Sequence, residues 1–292
     1  MPSTTLAIIP AVGALLALAA CAEPPRPQPS PGELRVVTYN VLGLRGFPAR
    51  QGGPVAFPEP HPALVTELAG RIAGWRADIV LLQEAPPEAV VRELARQAGM
   101  HAAFWSTRGP SGAEWPFGFP GAVLSRFPLT QVQDRAAALR TPADARFHRH
   151  WGEATAMTPG GPLRVAGMHL CADWGGVFRE EVRLAELEAV SAAPLPDLIA
   201  GDFNTRPDAA PWRRMRDAGW RDAWLEAGAA GDGLTSDTRQ RIQRIDYLWL
   251  APHCPWRVAA AEVLPDPVLT VDGAEVLLSD HHPVLAVLAP AR

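Results

Sequence analysis

Short apolar runs recur along this chain, and each is bounded by a residue that a protein core does not accept without a partner. The run at 34–40 finishes on Asn40, the run at 78–84 on Gln83-Glu84, and the run at 163–170 carries His169 near its end. The run at 197–201 closes into Gly201-Asp202-Phe203-Asn204. Asp246 lies within Arg244-Ile245-Asp246-Tyr247 at the start of 245–250, and Ser279-Asp280-His281-His282-Pro283 precedes 284–288. Short apolar runs of this kind read as strands. Between them apolar residues return at helical spacing: Leu64, Val65, Leu68 and Ile72 within 63–75, a segment at 87–98 opened by Pro87, then Val182, Leu184, Leu187 and Val190 within 179–190, and a segment at 209–218. Further strands are expected at 122–125 and 153–157, the latter joined to 163–170 through the turn signal Pro159-Gly160-Gly161. A Gly/Pro-rich loop fills 43–60. This mixture predicts an α/β fold in which two sheets pack face to face with helices outside. The 292 residues, 48% of them hydrophobic, are enough for one large domain, and no interior linker divides them. In such folds strand ends gather at one sheet edge and build a site there.

Net charge is -4 and every basic residue is Arg. That balance excludes a broad, non-specific grip on nucleic acid, but not a nuclease that contacts a few phosphates. The apolar run at 6–20 is too short for a comfortable membrane span and ends in small residues. Its close, Leu18-Ala19-Ala20-Cys21, resembles the bacterial lipoprotein processing site, although no basic side chain precedes the run. The reading is a signal peptide at 1–20, Cys21 as the lipid-modified first residue of the mature protein, a Pro-rich tether over 21–33 and the catalytic body over 34–290. An ordinary cleaved signal with a chance cysteine is the competing reading. Export to the periplasm or cell exterior, anchored to the membrane, is the expectation. Cys171 and Cys254 then have two readings, a disulfide or two buried thiols.

Taken together, Thr38-Tyr39-Asn40-Val41, Gln83-Glu84, Gly121-Ala122-Val123-Leu124-Ser125-Arg126, Met168-His169-Leu170, Gly201-Asp202-Phe203-Asn204, Arg244-Ile245-Asp246-Tyr247 and Ser279-Asp280-His281 resemble the endonuclease/exonuclease/phosphatase superfamily. That superfamily includes pancreatic-type deoxyribonucleases, exonuclease III-like repair nucleases, bacterial sphingomyelinases and inositol-phosphate 5-phosphatases. The resemblance implies a four-layered α/β sandwich of the DNase I-like kind and a divalent-metal-dependent hydrolysis of phosphate esters. It implies that Glu84 and Asn40 belong to a Mg²⁺ (or Mn²⁺) site, with Asp280 completing the surroundings of the metal. A hard carboxylate oxygen with a neutral amide beside it suits an ion that keeps several waters.

His281 is expected to contact a phosphate oxygen or act as general acid or base, with Asp246 fixing its tautomer; the adjacent His282 does not share the role. Asp202 is the expected base for the attacking water, helped by Asn204 two residues on. If the backbone stays extended there, period two puts both side chains on one face. His169 resembles the deoxyribonuclease, sphingomyelinase and 5-phosphatase branches, where repair nucleases usually carry Tyr. Its other reading is a core histidine satisfied by backbone.

Two weaker features bear on the substrate. Trp115, Phe117 and Phe119 lie in a Gly/Pro-broken stretch at 105–119, either packed onto the body or available to lipid or bases. Arg140, Arg146, Arg149, His148 and His150 cluster before the 153–157 strand, either meeting a substrate phosphate or forming a solvated basic loop. The expected partner is a phosphate ester (lipid head group, nucleic acid or small metabolite), acted on by a monomer. A secreted nuclease and a sphingomyelinase-like head-group hydrolase compete as substrate readings. A catalytically inactive binding module is the contrasting class, and such a module should have lost at least one residue of the set. No Gly-x-Ser-x-Gly elbow supports a serine nucleophile.

Overall fold

The structure is a computed structural model that describes residues 30–50, 52–106, 118–138, 149–173 and 179–291. Cys21, Trp115, Phe117, Arg140, Arg146 and His148 lie outside the described residues. In chain order the elements are β1 (Leu34–Asn40), β2 (Phe47–Pro48), α1 (Pro62–Trp75), β3 (Ile79–Gln83), α2 (Glu88–Ala98), β4 (His101–Trp105), β5 (Gly121–Ser125), β6 (Leu129–Asp134), α3 (Arg135–Ala138), β7 (His150–Thr158) and β8 (Gly161–His169). They continue with α4 (Glu180–Ser191), β9 (Leu198–Asp202), α5 (Ala210–Asp217), β10 (Arg221–Asp222), α6 (Ala223–Glu226), β11 (Asp246–Leu250), β12 (Trp256–Val263), β13 (Leu269–Val271), β14 (Ala274–Leu277) and β15 (Val284–Pro290).

Two six-stranded sheets carry the molecule, one ordered β12-β15-β1-β3-β5-β4 and the other β10-β11-β9-β8-β7-β6; β13, β14 and β2 form a small third sheet. Side-chain alternation along β1 shows how the layers arise. Leu34 and Val36 enter the core shared by the two sheets, with Leu81, Val123, Val165, Met168 and Ile199. Val37 and Tyr39 point the other way, into the core under α1 and α2 with Leu64, Leu68, Ile72 and Leu94. Both faces are therefore covered, which is why the run is continuously apolar. Leu187, Val190, Trp212 and Met215 bring α4 and α5 onto the shared cluster from the second sheet, and the result is the four-layered α/β sandwich.

Each sheet has one parallel pair at its centre, and these pairs place the polar strand ends. β1 pairs with β3 so that Asn40 stands opposite Gln83. β8 pairs with β9 so that His169 stands opposite Asp202, and antiparallel β11 puts Asp246 opposite Asp202 from the other side. A Cβ on Gly201 would overlap the Met168 carbonyl, so only glycine permits this close pairing just ahead of Asp202. Helix ends follow local chemistry. His61 caps α1 by accepting from the Ala63 N–H at 3.2 Å ahead of Pro62, and Gly99 ends α2 in the left-handed region at φ 65°.

Several elements depart from the sequence expectation. β7 begins at His150 rather than 153, because its hairpin with β8 continues to the His150–His169 pair. Trp105 is the last residue of β4, not part of a loop, and its indole fills a notch where a Cβ on Gly152 or Gly167 would collide with it. β4, β6, β12 and the small third sheet have no counterpart in the sequence reading. Cys171 and Cys254 are both buried and unpaired, which decides that question for the thiol reading.

Candidate active site

The strand ends at the shared edge of the two sheets converge on Asp202. Its Oδ2 accepts from Asn40 Nδ2 at 3.2 Å and meets His169 Nε2 at 3.1 Å, and its Oδ1 accepts from the Asn204 N–H at 2.9 Å. His281 Nε2 lies 3.8 Å from Oδ2, while Nδ1 of the same ring is 2.8 Å from Asp246 Oδ2. Asn40 Nδ2 also donates to Glu84 Oε1 at 3.2 Å. The expected residues Asn40, Glu84, His169, Asp202, Asp246 and His281 are thus brought together, all of them buried. Asp280 sits beside them, half-buried, with Oδ1 accepting from Ser279 Oγ at 3.3 Å. Its charge reaches Glu84 and His281.

One detail corrects the sequence reading. The backbone does not stay extended through Gly201-Asp202-Phe203-Asn204: Asn204 takes φ 47°, so it shares no strand face with Asp202. Its amide Nδ2 donates to the Leu170 carbonyl at 3.1 Å, and its own N–H caps the Asp202 carboxylate. Short Asn side chains tolerate this conformation and bond locally. Asn204 therefore orients Asp202 rather than standing beside it. Asn40 directs its amide oxygen to the Leu42 N–H at 3.2 Å and its NH₂ to the two carboxylates. The oxygen assigned to a metal by resemblance thus accepts from backbone and keeps a second lone pair for a cation.

The turns that deliver these groups are left-handed at Leu42 (φ 49°), Leu44 (φ 54°) and Glu84 (φ 48°). Buried leucines rarely adopt that region, and such backbone is held by its surroundings. Here the Gly43 N–H donates to the Glu84 carbonyl at 2.7 Å and the Val41 N–H to the Gln83 carbonyl at 2.9 Å, tying the ends of β1 and β3 together.

The sequence leaves Arg149 as either a phosphate contact or part of a solvated loop. It lies just before β7 and enters the cluster: Nη1 is 3.6 Å from Glu84 Oε1 and contacts His169, and the guanidinium lies 4.0 Å over the Phe119 ring. Glu84, Asn40, Asp202, His169 and Arg149 thereby form a closed ring of contacts. Phe119 meets His169 edge-on at 5.9 Å, and its carbonyl accepts from His150 Nδ1 at 3.1 Å. His150 thus supports this wall from inside the core. No spacing signal in the sequence joins 119, 149 and 169; only the β7–β8 register does.

Burial governs the charges. It pushes the Glu84 carboxyl up to about 7 against the pull of Arg149, and lowers His169 to about 3 with help from Arg149, so that ring stays neutral. Burial also raises Asp246. For Asp202 the burial penalty is outweighed by His169 and His281, and its carboxyl is held below the usual range. Burial opposes a charge on His281 too, but Asp246 and Asp202 overcome it and raise this histidine well above its ordinary value.

Asp202, Asp246 and His281 each offer one ligand atom within 4.8 Å of the others, a spacing compatible with a metal ion. A histidine flanked by two carboxylates keeps its proton, however, and a protonated imidazole has no lone pair to give. The Glu84 side fits a cation better. Glu84 Oε2 is buried and has no hydrogen-bond partner among the described residues, and a hard divalent ion satisfies such an oxygen while retaining waters. Glu84, with Asn40 and Asp280 alongside, is therefore the donor set that would hold it.

A model of the Endonuclease/Exonuclease/phosphatase family matches residues 37–281, the span from β1 to the histidine of this cluster. The chain belongs to that family. Solved structures share its fold. An endonuclease/exonuclease/phosphatase from Beutenbergia cavernae is 21% identical with a TM-score of 0.62, over 89% of this chain and 72% of that one. A Bacteroides thetaiotaomicron mannosyl-6-phosphatase is 17% identical with a TM-score of 0.64, over 88% and 99%. D. rerio TDP2 complexed with single strand DNA product is 18% identical with a TM-score of 0.61, over 88% and 98%. No curated protein matches the chain. Membership in the endonuclease/exonuclease/phosphatase family, with the buried Asp/Asp/His cluster in place, supports a hydrolase acting on phosphate esters.

Proposed function

We propose that this chain is a divalent-cation-dependent phosphoesterase that cleaves a phosphodiester or phosphomonoester by in-line attack of water. The observation that carries this reading is the Asp246–His281–Asp202 arrangement, with His281 Nδ1 2.8 Å from Asp246 and Nε2 turned to Asp202 at 3.8 Å. Asp202, held ionised, orients the attacking water and receives its proton; Asn40 and Asn204 fix the carboxylate for that task. His281, charged and held in orientation by Asp246, stabilises a phosphate oxygen as negative charge develops. Glu84, with Asp280 near it, would hold Mg²⁺ or Mn²⁺, which would supply charge neutralisation for the phosphate. Phosphoryl transfer rests mainly on such positioning and electrostatics.

The intact cluster speaks against an inactive binding module. We place the protein outside the cytoplasm as a monomer anchored through Cys21, on the strength of the apolar run at 6–20 and the Leu18-Ala19-Ala20-Cys21 close. A test uses the body from residue 30 onward with Mg²⁺, on plasmid DNA, sphingomyelin, an inositol phosphate, a sugar 6-phosphate and bis-p-nitrophenyl phosphate. Turnover of one natural ester supports the reading and names the substrate class. No turnover of any ester by folded protein that binds Mg²⁺ contradicts it.

A further inference from the structure

We propose that Asp266, in the connection between β12 and β13, is a positioning residue for the reaction: it fixes the Ser279-Asp280-His281 turn and ties that turn to the end of β1 that carries Asn40. The proposal deepens the phosphoesterase reading and rests on it, and it concerns a residue outside every segment that carries the family resemblance. The Asp266 side chain is fully buried, and its Oδ1 pairs with Arg71 Nη1 from α1. Its Oδ2 accepts from the Ser279 N–H at 3.3 Å and from the Tyr39 hydroxyl at 3.4 Å. Arg71 is held in turn by Glu67, whose Oε1 accepts from Nε at 2.8 Å.

Stability alone does not explain an ion pair buried this deeply, since apolar residues of similar volume commonly serve as well. What apolar residues cannot do is accept a backbone N–H. At Ser279 that difference reaches the site. Ser279 Oγ accepts from the His281 N–H at 3.2 Å and donates to Asp280 Oδ1 at 3.3 Å. Asp266 is thus linked through one serine to the backbone of His281 and to the carboxylate beside the cation site.

The turn is held between two segments. Thr238 donates through its N–H to the Asp280 carbonyl and through Oγ1 to the Ser279 carbonyl, both at 2.9 Å. The stretch 264–266 straps it elsewhere: the Leu264 N–H donates to the Pro283 carbonyl at 2.8 Å, and the Leu264 carbonyl accepts from His282 Nδ1 at 3.2 Å. Arg241 Nε donates to the other ring nitrogen of His282 at 3.2 Å, so His282 belongs to this strap. Asp266 is the carboxylate of the strap. Because Tyr39 directly precedes Asn40, it also relates the turn to β1, and Asn40 and His281 both meet Asp202 Oδ2. Small displacements of such groups cost rate far more than they cost binding.

The experiment compares wild type with Asp266→Ala, Asp266→Asn, the double variant Asp266→Leu with Arg71→Leu, and the exposed control Glu88→Gln. It reads thermal unfolding, the imidazole ¹H/¹⁵N shifts of His281 without substrate (identified against His281→Ala), and kcat and KM for the best ester in saturating Mg²⁺. Asp266→Ala is expected to lower kcat by about 10- to 100-fold with KM within about threefold, and to move the His281 shifts while His101 at the start of β4 keeps its own. The double variant removes the pair without stranding a buried charge. Its unfolding temperature therefore returns toward wild type, while kcat and the His281 shifts stay as in Asp266→Ala. Asp266→Asn keeps a neutral oxygen for the Ser279 N–H and loses about three- to tenfold in kcat; it stands in if the others do not fold. Glu88→Gln matches wild type. A kcat within about twofold of wild type in the folded double variant, or in Asp266→Asn, overturns the proposal, as does a kcat that recovers in step with stability. Unmoved His281 shifts in the double variant overturn it as well, whether or not an ester is turned over. Wild type that hydrolyses no ester, with His281 displaced in the variants, refutes the phosphoesterase reading alone. Active wild type matched by the double variant refutes the role of Asp266 alone.

Discussion

Asp202 is the residue on which the site closes, since Asn40, His169 and the Asn204 backbone all contact its carboxylate, with His281 just beyond. Replacing it by Asn keeps the shape and removes the charge that orients water and counterbalances His281. Turnover of the best substrate should fall by about 10²- to 10⁴-fold in Asp202→Asn, and by a similar factor in His281→Ala, with unfolding curves close to wild type. Wild-type rates in either folded variant would remove these residues from the chemistry. The residue scale is also where the sequence was most legible. A carboxylate or imidazole at the end of an apolar strand has no reason in packing alone, so Asn40, Glu84, His169, Asp202, Asp246 and His281 stood out. What could not be read were directions: the left-handed turn at Asn204, the amide of Asn40 facing carboxylates, and the approach of Arg149 all depend on backbone turns and register that no spacing encodes.

Among the elements, β1, β3, β8, β9 and β11 announced themselves because both faces are buried and the residues are correspondingly apolar. β4, β6 and β12 did not, and each lies at the edge of a sheet. The β6 sequence Leu-Thr-Gln-Val-Gln-Asp is exposed over most of its length, and β12 carries a central run of three alanines, which have little strand preference. β4 holds its place through Trp105, whose indole occupies the space a side chain would need at Gly152 and Gly167. Gly152→Ala should therefore destabilise the protein by about 1–3 kcal/mol through overpacking, measured by denaturant unfolding. An unchanged midpoint would show that the notch is not packed as described.

Two measurements bear on the molecule as a whole. A thiol titration of the unreduced body from residue 30 should find Cys171 and Cys254 free once the chain is unfolded, as their burial without pairing requires; a value of zero would place a disulfide there. In the full chain, Cys21→Ser should move the protein from the membrane fraction to the soluble one. Retention in the membrane would rule out a lipid anchor at that residue. The most direct test of the central claim is hydrolysis of the best ester on the panel after exhaustive chelation and then with Mg²⁺ or Mn²⁺ restored, with His281→Ala in parallel. The account predicts activity lost in chelator, recovered with the cation in wild type, and still absent in the variant. Full activity in chelator would contradict the cation site at Glu84, and full activity in the variant would contradict the role given to His281.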